Sequence, residues 1–161
     1  MPDRPVKKVS ESSLDNQQYM IFPDDLNPNG TVFGGTVMAE GDKIAALVAR
    51  RHSEQNCVTA CVDSCRFLAP GRQGEVLVFN ASVNRVWNSS MEIGVKVFSE
   101  NYKTGEKRHI VSAYYTFVPI NEQERPVPVK YGLQPETEDA KRRYRQAESR
   151  RQRRLAEREQ N

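Results

Sequence analysis

The chain has no apolar run approaching the roughly 20 residues that a membrane-spanning helix needs, so no such helix is expected. Its first stretch, Met1 to Ser13, is polar and lacks the apolar centre of a secretory signal, which points to a soluble, cytoplasmic protein. Cysteine is scarce. Cys57, Cys61 and Cys65 recur every fourth residue, a spacing that fits no common zinc pattern, and His52 and His109 do not complete one. An odd count without an export signal also argues against a disulfide framework, leaving three reduced, partly buried thiols on one face of a strand. No Gly-x-Ser-x-Gly elbow is present, which disfavours a common serine hydrolase. The glycine-rich run near residue 30 lacks the Gly-Lys-Ser/Thr ending of a phosphate loop. Regular alternation of strands and helices, which a dinucleotide-binding fold requires, is missing too.

What is present fits one domain of 161 residues, long enough to bury its own core. The net charge of +3 is unevenly spread. Residues 141–158 carry nine basic side chains (Lys141, Arg142, Arg143, Arg145, Arg150, Arg151, Arg153, Arg154, Arg158) against Glu148 and Glu157, a balance of +7. The remainder is therefore −4, a mildly acidic body with a basic tail.

Residues 1–15 read as a flexible N-terminus and 16–121 as the folded domain. A short strand over Gln18–Phe22 stops at Pro23, and residues 23–35 form a loop. Val37, Gly41, Ile44, Ala45 and Val48 share one helical face and predict a helix from Thr36 to Arg51. Met38, Ala45, Ala46 and Ala49 give it a second side of small and apolar residues. His52 closes it and is expected to be solvated. The period then changes to two: strands are predicted over 58–67, 75–87, 91–98 and 109–120, with Lys103-Thr104-Gly105 as a hairpin turn. One helix facing about five strands must be wrapped by the sheet. Residues 122–161 read as a proline-containing linker and a basic helix from Ala140. That helix is polar nearly all round, so it should stay solvated, fray, or pack across a neighbouring subunit.

The informative stretch is Asn27-Pro28-Asn29-Gly30-Thr31-Val32-Phe33-Gly34-Gly35, with Asp42 seven residues on. Gly34 and Gly35 entering a helix expose backbone N–H groups at its positive end, where an anion or a developing oxyanion is stabilised. Asp42 lies about two turns further, on the order of 10 Å along the axis. It is too far to cap that helix, so it either pairs with a neighbour or serves chemistry. Asn27, before Pro28, can equally make an Asx turn.

These residues resemble the hot-dog-fold acyl-CoA thioesterases, in the cytosolic acyl-CoA hydrolase branch that includes the brain-type enzyme. The likeness runs through Pro23-Asp24-Asp25-Leu26-Asn27, Phe33-Gly34-Gly35 and Asp42. It continues through Val58-Thr59-Ala60-Cys61-Val62-Asp63, Ser89-Ser90-Met91-Glu92-Ile93-Gly94 and Ser112 to Val118, and on into Pro126-Val127-Pro128-Val129 and Pro135 to Asp139. The resemblance implies an α+β hot-dog fold: an antiparallel sheet of about five strands wrapped around one long helix, followed by a basic C-terminal helix. It implies hydrolysis of acyl-coenzyme A to free fatty acid and CoA, with coenzyme A as part of substrate and product, no separate cofactor and no metal. Asn27 and Asp42 would be the catalytic pair, facing each other across a subunit boundary, and Gly34 and Gly35 would hold the thioester oxygen. Ser89, Ser90 and Arg108 would lie near the nucleotide end of CoA. The assembly would be a dimer at least, and a hexamer as a trimer of dimers.

Three other readings compete. A hot-dog dehydratase would need a histidine paired with a carboxylate near the loop–helix unit, and neither His52, at the far end of the helix, nor His109, at the start of a strand, lies there. A non-catalytic acyl-CoA-binding protein would have no use for both Asn27 and Asp42. Nucleic-acid binding through the arginine-rich tail would be electrostatic, but Tyr144 is the only aromatic residue there and acids are interspersed.

Overall fold

A computed structural model describes residues 4–159. The elements run β1 (Val6–Lys8), β2 (Leu14–Met20), α1 (Gly34–Ser53), β3 (Cys57–Phe67), β4 (Val76–Val86), β5 (Met91–Glu100), β6 (Lys107–Pro119), β7 (Gly132–Gln134) and α2 (Glu138–Glu159). Five of the strands form one antiparallel sheet in the order β2-β4-β5-β6-β3. The strand after α1 therefore crosses to the far edge, and the sheet curls around the helix between its two edge strands.

Alternation along the strands decides which face closes on α1. Leu77, Phe79, Ala81 and Val83 of β4, Met91, Ile93, Val95 and Val97 of β5, and Val111, Ala113, Tyr115 and Phe117 of β6 all enter one core. Val37, Ala45, Val48 and Ala49 of α1 meet them. This is the hot-dog arrangement, with the helix as filling. The Tyr115 hydroxyl reaches under α1 and donates to the Met38 carbonyl at 3.1 Å. It fits because Gly41 stands above it: a Cβ there would come within 2.9 Å of the Tyr115 oxygen.

The strand expected over Gln18–Phe22 is β2, which begins earlier, at Leu14, and ends at Met20, and α1 takes in both Gly34 and Gly35 and runs to Ser53. The expected flexible N-terminus needs correction over its described part, since residues 1–3 lie outside the described residues. Val6–Lys8 pairs in parallel with Gly132–Gln134, so the chain's beginning and the proline-containing linker hold each other. Together they cover the end of α1, and His52 beneath them is fully buried rather than solvated. Its Nε2 sits 3.3 Å from the Tyr131 carbonyl and its Nδ1 3.4 Å from Ser12 Oγ. A carbonyl only accepts, so Nε2 carries the proton and Nδ1 accepts from the serine. Burial pulls the His52 pKa below its ordinary 6.5.

Helix α2 also departs from expectation: it lies against the outer face of its own sheet. Ala140 and Ala147 are buried there. The remaining anchors are polar, because the helix has few apolar side chains to offer. Trp87 Nε1 donates to Glu148 at 2.8 Å, and Arg85 pairs with Glu148 at 3.1 Å while stacking on Tyr144. Arg150 grips Glu92 of β5 with two bonds, 2.7 and 3.0 Å long.

Candidate active site

The loop before α1 is closed by Asn27. Its backbone N–H donates to the Thr31 carbonyl at 2.8 Å, and its Oδ1 accepts from the N–H groups of Asn29 and Thr31 at 2.9 and 3.2 Å. Asn27 thus does make an Asx turn. Its amide nitrogen spends one hydrogen on Thr31 Oγ1 at 3.0 Å, and the second meets no acceptor among the described residues. Asn27, Gly34, Phe67, Leu68, Gly71 and Ile110 help line a cavity of about 390 Å³ at the entrance to the helix.

The start of α1 is bare. Phe33 stands at the N-cap and supplies no side-chain acceptor, where Ser, Thr, Asp or Asn would ordinarily satisfy a first-turn donor. Among the described residues no acceptor faces the N–H of Gly34 or Gly35. Both positions also lack room for a side chain: a Cβ on Gly34 would lie 3.1 Å from the Phe67 ring, and one on Gly35 would overlap the Phe33 ring. Two aromatic rings therefore close over a helix start that still carries unpaired donors.

Asp42, two turns along α1, is half-buried and held at the far edge of the sheet. Thr59 Oγ1 of β3 donates to its Oδ1 at 2.7 Å, and Oδ2 has no partner among the described residues. Within one chain no hydrogen bond joins Asn27 to Asp42. Pattern reading missed Thr59. Its signal was available only in three dimensions, because nothing in the sequence says that residue 59 passes residue 42.

β3 is an edge strand with a free side, and Val58, Val62, Phe67 and Leu68, along and just beyond it, are exposed. Such an edge is open to pairing with a second strand. Ser89 and Ser90 lie at the β4–β5 turn, whereas Arg108 is paired with Ser99 near the far end of β5. The ten residues of β5 separate them by roughly 30 Å, so one chain does not bring the three together. Arg108 is not simply solvated: it pairs with Glu75 at 2.9 Å. The three cysteines are free thiols, Cys57 buried and the others half-buried, and burial pushes the thiols of Cys57 and Cys65 up. No cluster of His, Cys, Asp and Glu able to hold a metal appears among the described residues, nor does any helix long and apolar enough to cross a membrane.

Residues 29–106 match the family model described as thioesterase superfamily. A Bacillus subtilis protein named an uncharacterized acyl-CoA thioester hydrolase is 40% identical over 119 residues, 74% of this chain and 69% of that one. The cytosolic acyl coenzyme A thioester hydrolase of Rattus norvegicus is 36% identical over 151 residues, 92% of this chain but 39% of the rat protein. An acyl-CoA hydrolase from Staphylococcus aureus, solved with butyryl coenzyme A, coenzyme A and coenzyme A disulfide, superposes with a TM-score of 0.90 at 36% identity, covering 97% of this chain and 94% of that one. Forms of the staphylococcal enzyme with an asparagine, an aspartate or a threonine changed to alanine have also been solved, and these positions are spaced by 15 and 17 residues. An apo-hexameric acyl-CoA thioesterase superposes with a TM-score of 0.91 at 35% identity, covering 95% of this chain and 97% of that one.

Proposed function

The chain belongs to the thioesterase superfamily, and from that footing we propose that it hydrolyses acyl-coenzyme A to a free acid and CoA in the cytoplasm. The observation that carries this reading is the pairing of a buttressed carboxylate, Asp42 on Thr59, with an uncapped helix start at Gly34 and Gly35. Asn27, Asp42 and Thr59 are spaced as are the three residues replaced in the staphylococcal hydrolase, which supports their joint role.

Pairing two chains through their free β3 edges would cover the exposed apolar side chains there. It would also set Asn27 and the helix start of one subunit against Asp42 of the other, giving two sites per dimer. Dimers of this kind would assemble further into a hexamer, the state of the apo thioesterase that this chain resembles. The thioester carbonyl would accept from the N–H groups of Gly34 or Gly35, whose donors gain strength as charge develops on the oxygen. Asp42, fixed through Oδ1, would use Oδ2 to take a proton from water as that water attacks the carbonyl carbon. Collapse of the tetrahedral intermediate breaks the carbon–sulfur bond, and the proton goes to the departing CoA sulfur. The free hydrogen of the Asn27 amide would orient the water or the carbonyl. Ser89, Ser90 and Arg108 would serve the nucleotide end of CoA, from different subunits given their separation in one chain.

Thiol release from a panel of short to long acyl-CoAs tests the reading. Replacing a positioned general base should lower kcat by about 10²- to 10⁴-fold. Asp42→Ala is expected in that range and Asn27→Ala to lose most turnover, with the oligomer intact by light scattering. Undiminished rates in both variants would overturn the assignment.

A further inference from the structure

We infer that Arg154, at the far end of α2, is a positioning residue for this hydrolytic site, acting through the bulged edge strand that carries Thr59. The inference rests on the reading of Asp42 as the working carboxylate.

Strand β3 is irregular where the site needs it to be fixed. Its register against β6 slips between Thr59 and Cys61 and again between Val62 and Ser64. Ala60 and Asp63 are therefore extra residues in two bulges only three positions apart. A bulge bends its strand and leaves one residue outside the ladder. On an edge strand, with a single neighbour, two such interruptions leave little to hold the backbone. Thr59 directly precedes the first bulge, and its hydroxyl is the one bonded to Asp42. Where the bulges settle decides where that hydroxyl points.

The second bulge is the one that α2 reaches. The Asp63 side chain is 6% exposed, and Arg154 Nη1 donates to its Oδ1. Thr116 Oγ1, on β6, donates to Asp63 Oδ2 at 2.8 Å and lies 3.0 Å from the same Arg154 nitrogen. Cys61 Sγ, inside the bulged segment, sits 3.7 Å from Asp63 Oδ1. One guanidinium thus ties the bulge to the neighbouring strand and to the helix. Arg150, one turn earlier, holds Glu92 of β5, which is the ladder partner of Thr116. The two arginines fasten successive strands outward to the free edge. Without Arg154, Asp63 would be a buried carboxylate lacking its cation, and it would escape that cost by turning to water and letting the bulge relax.

Small misplacements around a reacting group cost large factors in rate, up to about 10²-fold for 1 Å. Arg154→Gln is expected to lower kcat about ten- to a hundredfold while KM changes less than about threefold. A general loss of stability would not produce the next result. In a Thr59→Val background, Arg154→Gln should have little further effect on kcat, because the hydroxyl through which it acts is gone. Should Arg154→Gln fail to fold, Thr116→Val, which removes only the hydroxyl shared by Asp63 and Arg154, gives the same test with a several-fold loss. Unchanged kcat in the tested variant, or losses that multiply independently with Thr59→Val, would overturn the positioning role. Absence of any hydrolysis by the unmodified protein would instead overturn the reading on which it rests.

Discussion

Replacing Arg150 with methionine puts the docking of α2 to a quantitative test. Glu92 is wholly buried and receives two bonds from Arg150, at 2.7 and 3.0 Å, and one from Asn84 Nδ2 at 2.9 Å. The guanidinium also stacks 3.7 Å above the Tyr114 ring. Methionine keeps most of the stem and its packing but leaves the carboxylate with a single neutral donor. Breaking a buried pair from one side costs about 3–5 kcal/mol, whereas replacing both partners with groups of similar volume is often close to neutral. Against a total stability of about 5–15 kcal/mol, the single change should be severe. Adding Glu92→Gln removes the stranded charge and should restore the protein to within about 1.5 kcal/mol of its starting stability. Urea unfolding at one fixed protein concentration measures both, since association would otherwise shift the midpoint. A cost below about 1 kcal/mol for Arg150→Met, or no recovery with Glu92→Gln, would mean that the charge of Glu92 is not matched by Arg150.

Gly41→Ala should destabilise by about 1–3 kcal/mol through the clash with the Tyr115 hydroxyl, and Tyr115→Phe in the same protein should recover part of that loss in thermal unfolding. Additive losses would refute the contact. His52 gives a pH dependence with a definite sign. Its folded pKa lies below the unfolded value of about 6.5, so its contribution is complete above pH 6.5. As pH falls below that, the unfolded chain takes up a proton that the buried ring refuses, and stability drops until the folded pKa is passed. Unfolding midpoints between pH 8 and 5 should show this slope, and His52→Gln should flatten it; an equal slope in the variant would assign it to other groups. Trp87 is the sole tryptophan and is 8% exposed under α2, so truncation after Thr137 should shift its fluorescence to the red. Unmoved emission would mean that the helix does not cover it.

The body of the fold was legible because its signal is periodic. Of the face Val37, Gly41, Ile44, Ala45 and Val48 the structure buries all but Ile44, which is half-buried against the core, and the alternation of Met91, Ile93, Val95 and Val97 likewise places residues that the structure buries. The glycine pair and Asp42 stood out because bare helix donors and an acid in mid-helix call for a partner, whereas Asn27 by propensity reads as the Asx turn it makes, and only the family resemblance singled it out. Their working partners did not stand out. Thr59 is an ordinary threonine in an ordinary strand until β3 passes Asp42. His52 looks like a solvated helix end until Val6–Lys8 and Gly132–Gln134, too short to leave a pattern, close over it.

Helix α2 marks the limit of hydropathy as a guide to docking. A helix without an apolar stripe reads as solvated, because burial of carbon surface is the force that periodicity detects. Here the information is divided between distant positions: Arg150 means little until Glu92 is known to be buried, and Arg154 means little until Asp63 is known to stand in a bulge. Each carboxylate would penalise the fold alone, and each arginine would be a loose surface charge alone. The same division bears on the basic tail. Of its nine cations, Lys141, Arg142, Arg143, Arg150 and Arg154 are engaged with carboxylates of the chain itself, which leaves a weaker positive field for phosphates than the sequence suggests. A helix anchored by paired charges is specific in register, because shifting it by one residue strands both carboxylates at once. That is the property a strand edge needs from the element that fixes it.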